Sequence, residues 1–123
     1  MRIEKGEGPH KVWMESQRIA DQGLWVGIFG GDLPHIGGVA VGNPSPGLNG
    51  PGVTCDLSQI CLPGHKDVVL AAKVADRIVR ATGKPASVTA GVHKDEATQA
   101  DIEKIIANTM ACLEEWLKKD ALD

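Results

Sequence analysis

Three histidines stand where an ordered stretch meets a Gly or Pro break. They are His35 in Pro34-His35-Ile36-Gly37-Gly38, His65 in Gly64-His65-Lys66-Asp67, and His93 in Gly91-Val92-His93-Lys94-Asp95. Neutral imidazole is the commonest protein metal ligand. Asp67 and Asp95 each follow a histidine by two residues. A carboxylate there can ligate, orient an imidazole or cap a helix. Ligands on separate loops at one sheet end can converge on one ion. The pattern predicts one divalent-metal site shared by His35, His65 and His93, with Asp67 and Asp95 as added ligands, as partners that orient the imidazoles, or as helix caps. The competing reading is that each histidine only hydrogen-bonds its own turn.

Lys66 and Lys94 lie beside glycine turns that open helical patterns. Free N–H groups and the helix dipole make such ends anion sites, and an added lysine favours phosphate. Both lysines also read as ordinary solvated surface residues. The chain has no H-E-x-x-H, no G-x-x-x-x-G-K-[ST] and no G-x-G-x-x-G, so no zincin, P-loop or dinucleotide fingerprint is present. No Ser-His-Asp or Cys-His arrangement stands out.

The elements that must position these residues can be read in order. Residues 1–10 read as a polar lead-in. Residues 11–19 alternate, with Val12, Met14 and Ser16 on one face; residues 24–30 alternate with Leu24, Val26 and Ile28. Asp21-Gln22-Gly23 between them is a turn signal, so the pair reads as a hairpin. Residues 35–42 form a third strand and residues 53–62 a fourth. Residues 43–52 hold three prolines and three glycines and read as a loop long enough to close over a ligand. Residues 68–82 carry one apolar stripe: Leu70, Val74 and Ile78, with Ala71, Ala75 and Val79 beside them. Asp67 stands ready to cap that helix, and Gly83 with Pro85 ends it. Residues 86–92 form a fifth strand. Thr98-Gln99-Ala100-Asp101 resembles a capping box and opens a helix to about residue 119. The expected fold is α+β: one domain over residues 1–123, with a mainly antiparallel sheet of about five strands. Two helices cover one face, in the order β-β-β-β-α-β-α. The face left bare predicts a homo-oligomer.

Composition narrows the function. The chain has 123 residues, 42% of them hydrophobic, and a formal charge of −3. There is no basic footprint for nucleic acid and no run long enough for a membrane span. The N-terminus has no signal-like apolar stretch. Three cysteines without zinc-finger spacing suggest free thiols and a cytoplasmic setting. Cys55 and Cys61, six apart on one strand, lie about 20 Å from each other and cannot bridge. All three are expected to be small buried residues.

The three histidine blocks, with Val39-Ala40-Val41 after the first and Ala90 before the last, resemble the marks of the small prenylated-flavin chaperones. These are the LpdD-like accessory proteins encoded beside gallate and related UbiD-like decarboxylases. The resemblance runs from about Arg2 to Leu117. It implies a protein that binds prenylated FMN and delivers it to an apo UbiD-like decarboxylase, with a flavin prenyltransferase as a further partner. It also implies a divalent metal that bridges protein and cofactor phosphate. Carried onto this chain, it falls on His35, His65, Lys66, Asp67, His93 and Asp95, with Gly37, Gly64 and Gly91 as close-approach positions. Lys94, at the second helix start, joins the expected cofactor contacts. Two departures stand out: Val68 where the family pattern has a second acid, and Thr54-Cys55-Asp56-Leu57-Ser58 where it has a more Ser/Thr-rich strand. The glycine-rich strands, with Trp13, Trp25 or Phe29, offer a flat surface for an isoalloxazine ring. The rival readings are a small metal-dependent hydrolase or lyase using the three histidines, and a purely structural subunit.

Overall fold

The computed structural model describes residues 1–46, 52–63 and 67–122. Six strands form one sheet: β1 (Arg2–Lys5), β2 (Val12–Ile19), β3 (Gly23–Gly31), β4 (Gly38–Pro46), β5 (Val53–Cys61) and β6 (Ala86–His93). Helix α1 (Asp67–Thr82) lies between β5 and β6, and α2 (Gln99–Leu122) follows β6. The spatial order is β1-β2-β3-β6-β4-β5. Every pairing is antiparallel except β3 with β6. The α+β expectation holds, with six strands where about five were expected.

The additional strand is β1. Its one buried side chain is Ile3, so it shows no apolar period, and pairing with β2 rather than burial defines it. The second correction concerns β4, which starts at Gly38 and runs to Pro46. Residues 35–37 precede the strand, and 43–46 extend it into the stretch expected to be a loop. Prolines are tolerated because β4 pairs with β6 only from Gly38 to Gly42. Beyond Gly42, β5 is the only sheet neighbour of β4 among the described residues, and an edge can lack an N–H. The remainder of the expected closing loop, residues 47–51, lies outside the described residues.

Alternation sorts the sheet into two faces. Val12, Met14, Leu24, Val26, Ile28, Ala40, Ala86, Val88 and Ala90 are buried beneath the helices. From α1 come Leu70, Ala71, Val74, Ala75, Ile78 and Val79; from α2 come Ile105, Thr109, Cys112, Leu113 and Trp116. Each large aliphatic side chain buried here stabilises by roughly 1.5–3 kcal/mol relative to exposure. Small residues on β4 set the closeness of α1. A Cβ on Gly38 would meet the Val68 backbone nitrogen at 2.5 Å. The capping box forms reciprocally: Asp101 N–H donates to Thr98 Oγ1 at 3.1 Å, and Thr98 N–H donates to Asp101 Oδ2 at 2.9 Å. Among the described residues, no helix covers the other sheet face. Trp25 stands there 59% exposed, with Phe29 and Trp13 half-buried.

Candidate functional site

β3 and β6 run parallel, so their carboxyl ends, Gly31 and His93, lie side by side. β5 runs the same way, since both it and β6 are antiparallel to β4. Helix α1 therefore begins at this end. The segment before β4 crosses it too: His35 N–H donates to the Gly91 carbonyl at 3.3 Å, and Gly37 N–H to Ala90 at 3.0 Å. Ligands favour the carboxyl ends of parallel strands because helix N-termini and loops gather there.

His35, Asp67 and His93 meet at this place. The His35 and His93 rings are 6.2 Å apart, edge to face. His35 Nε2 lies 3.1 Å from Asp67 Oδ2, with both side chains largely buried. Asp67 Oδ1 accepts the Val92 N–H at 3.0 Å, which ties the first residue of α1 to the end of β6. His35 Nδ1 lies 2.9 Å from the Leu33 carbonyl. A carbonyl can only accept, so Nδ1 carries the hydrogen. Nε2 is the ring atom that faces the Asp67 carboxylate.

The remaining residues at this end have other partners. His93 Nε2 lies 2.9 Å from Asp95 Oδ1, with both side chains well exposed. Lys94 Nζ is 3.6 Å from Asp101 Oδ2 and donates to the Asp95 carbonyl. Asp101 also faces His10 Nε2 at 2.7 Å. The Thr98 N–H, the His10 ring and the Thr98 hydroxyl hold its carboxyl well below the usual carboxylate range. Among the described residues, no three His, Cys, Asp or Glu side chains group closely enough to hold an ion. Gly64, His65 and Lys66 lie outside the described residues.

The two glycines nearest the pair make room for the chain itself. A Cβ on Gly91 would overlap the His35 carbonyl, and one on Gly37 would overlap the Asp67 carboxylate. Sequence reasoning missed two contributors. Asp32 accepts the Asp95 N–H at 3.3 Å, and its own N–H donates to the His93 carbonyl at 2.6 Å. His10 faces Asp101 at the start of α2. Neither sits in a recognisable motif, although Gly30-Gly31-Asp32 did mark the end of a strand.

Two hollows flank the cluster. On the bare sheet face, Trp25, Gly27, Phe29, Thr89 and Ile36 help to line a shallow hollow of about 390 Å³. Ile36 belongs to the same short segment as His35. Beneath the other side, Leu70, Val92, Ile102 and Ile105 help to line a cleft of about 460 Å³, with Asp67, His93 and Lys94 at its edge.

The fold is thus a small α+β protein with a half-covered sheet, an imidazole–carboxylate pair at one sheet end and a hollow on the bare face. The chain belongs to the prenylated-flavin chaperones: the prenylated flavin chaperone LpdD-like domain matches residues 6–120. A comparison with curated proteins gave no match. No helix among the described residues is long and apolar enough to cross a membrane.

Proposed function

We propose that this chaperone binds prenylated FMN at the carboxyl end of β3 and β6 and hands it to an apo UbiD-like decarboxylase. The observation that carries the reading is His35 Nε2 facing Asp67 Oδ2 at 3.1 Å while Nδ1 is engaged by the Leu33 carbonyl. A metal-ligating histidine usually gives its second ring N–H to a carbonyl or carboxylate, so the pair fits a divalent cation. A hard or borderline ion suits mixed nitrogen and oxygen donors. His35 and Asp67 would hold it, and His65, His93 and Asp95 are the further donors proposed from the sequence. The ion would supply positive charge for the cofactor phosphate where the nearest acid alone would repel it. Lys94, Lys66 and the two helix N-termini add donors for the same anion.

The ring is proposed to lie in the hollow on the bare sheet face. Trp25 and Phe29 give it stacking surface, and Gly27 leaves space beside them. The cofactor-binding set is thus His35, Gly37, Gly64, His65, Lys66, Gly91 and Lys94. A shallow platform suits transfer, because a guest can leave it without unfolding of the host. The test is a titration of the protein with prenylated FMN, followed by absorbance and fluorescence, with and without divalent metal. Metal-dependent binding, weakened in His35→Ala and Trp25→Ala, supports the proposal, as does faster activation of an apo-decarboxylase. Equal binding by wild type and both variants would sink it.

A further inference from the structure

Helices α1 and α2 both set out from the carboxyl end of β6 and run back over the same sheet face. α1 must, since it leads into the opposite end of β6. α2 does too: Asp120, near its end, pairs with Arg18, which stands opposite Leu24 at the start of β3. Farther along, Arg77 of α1 pairs with Glu114 of α2 and bridges the two helices. Between their first turns the space stays open, and there lies the cleft of about 460 Å³ beside Val92. Small-molecule sites are commonly of this size.

Among the described residues, the walls of this cleft carry no aromatic ring and no neutral polar side chain. Val69 and Leu70 line it from α1, and Ile102, Ile105 and Ile106 from α2. Val69, Ile102 and Ile106 are still exposed to water. The charged groups at the cleft are Asp67, Lys73, His93 and Lys94. Asp67 is already engaged by the Val92 N–H and the His35 ring. Lys94 shares Asp101 with His10 and Thr98. Lys73 is exposed and meets no carboxylate among the described residues. The balance at the rim is therefore positive. A sugar, a base or an extended peptide would leave its polar groups unpaired against such walls, which is costly. A flavin ring would find nothing to stack on. A hydrocarbon chain gains with each methylene buried, and an anionic head suits the lysines.

We infer that the cleft between α1 and α2 is a second ligand site, distinct from the flavin platform, for an aliphatic acid. The chain lies among Leu70, Ile102 and Ile106, and the carboxylate sits at the rim beside Lys73 and Lys94.

The test is an amide NMR titration of the whole chain, free of flavin and metal, with butanoate, hexanoate, octanoate and octanol. Shifts are expected at Leu70, Ile102 and Ile106 and not at Trp25 on the bare face. Affinity should rise about fourfold per methylene along the acid series. Octanol, which is uncharged, should bind about fivefold more weakly than octanoate, and Lys73→Glu should weaken octanoate by a similar factor. Ile102→Trp, at a position open to water, should fill the cleft and abolish the shifts with an unchanged far-ultraviolet spectrum. Octanol bound as tightly as octanoate, affinity that ignores chain length, shifts centred on Trp25, or a Lys73→Glu protein that binds octanoate like wild type overturns the inference. So does a cleft silent to all of these ligands, the result expected of a protein-docking surface.

Discussion

Alanine at Gly91 and alanine at Gly37 place the same methyl group a few ångströms apart and are expected to fail in opposite ways. At Gly91 the new Cβ would overlap the backbone carbonyl of His35. That carbonyl belongs to a segment hydrogen-bonded to β6 on both sides of it, so it cannot turn aside. Overpacking of this kind costs typically 1–3 kcal/mol. At roughly 4 °C per kcal/mol for a domain of this size, the melting temperature should fall by about 4–12 °C. At Gly37 the collision is with the tips of Asp67 and His35, which can rotate away. The melting temperature should move by only about 4 °C. Rotation, however, separates the imidazole from the carboxylate. A charged hydrogen-bond contact is worth about 1.5–3 kcal/mol, so cofactor affinity should drop roughly ten- to a hundredfold. Circular-dichroism melts and a metal-supplemented flavin titration read the two effects separately. A Gly91→Ala protein that melts like wild type, or a Gly37→Ala protein that binds like it, would refute the steric reasoning.

Three further outcomes are expected. Thr98→Ala removes the hydroxyl half of the α2 capping box and should cost about 1 kcal/mol in thermal or urea unfolding. Asp101 has a folded-state pKa below its unfolded value, so its stabilisation is present above about pH 4 and is lost as the solution is acidified further; Asp101→Asn should flatten that acid limb of a stability–pH curve. Thiol labelling should find exposed Cys61 fast and half-buried Cys55 slow, because burial pushes the Cys55 thiol up. Cys112, buried and pushed up to about 11 by desolvation, should react only on unfolding; rapid labelling of all three would contradict the packing.

Period and punctuation made much of this fold readable. The stripe Leu70, Val74, Ile78 is buried as its spacing requires, and Thr98 with Asp101 closes the box its spacing suggests. What escaped had no local signal. β1 buries one residue and is defined by its neighbour. Pro44 and Pro46 argue against a strand unless β4 is known to lose β6 beyond Gly42, which is tertiary information. Burial of all three cysteines was expected, yet Cys61 is exposed because β5 is an edge. At the site, residue types and junction positions pointed to His35, His65, Asp67, His93 and Asp95 at one sheet end; His35, Asp67 and His93 lie near one another there, and His65 lies outside the described residues. The role of Gly91 was less legible: its missing side chain admits His35, a partner far away in sequence. His10 and Asp32 act through long-range contacts that no spacing rule reveals.

The place of β6 bears on how the molecule is made. It sits in the middle of the sheet, between β3 and β4, yet it is the last strand in the chain. During synthesis the two halves of the sheet have no common seam until residue 93 has left the ribosome. Such high contact order slows folding and leaves strand edges open to wrong partners meanwhile. It also means that His35, Asp67 and His93 come together only once this last strand has joined the sheet.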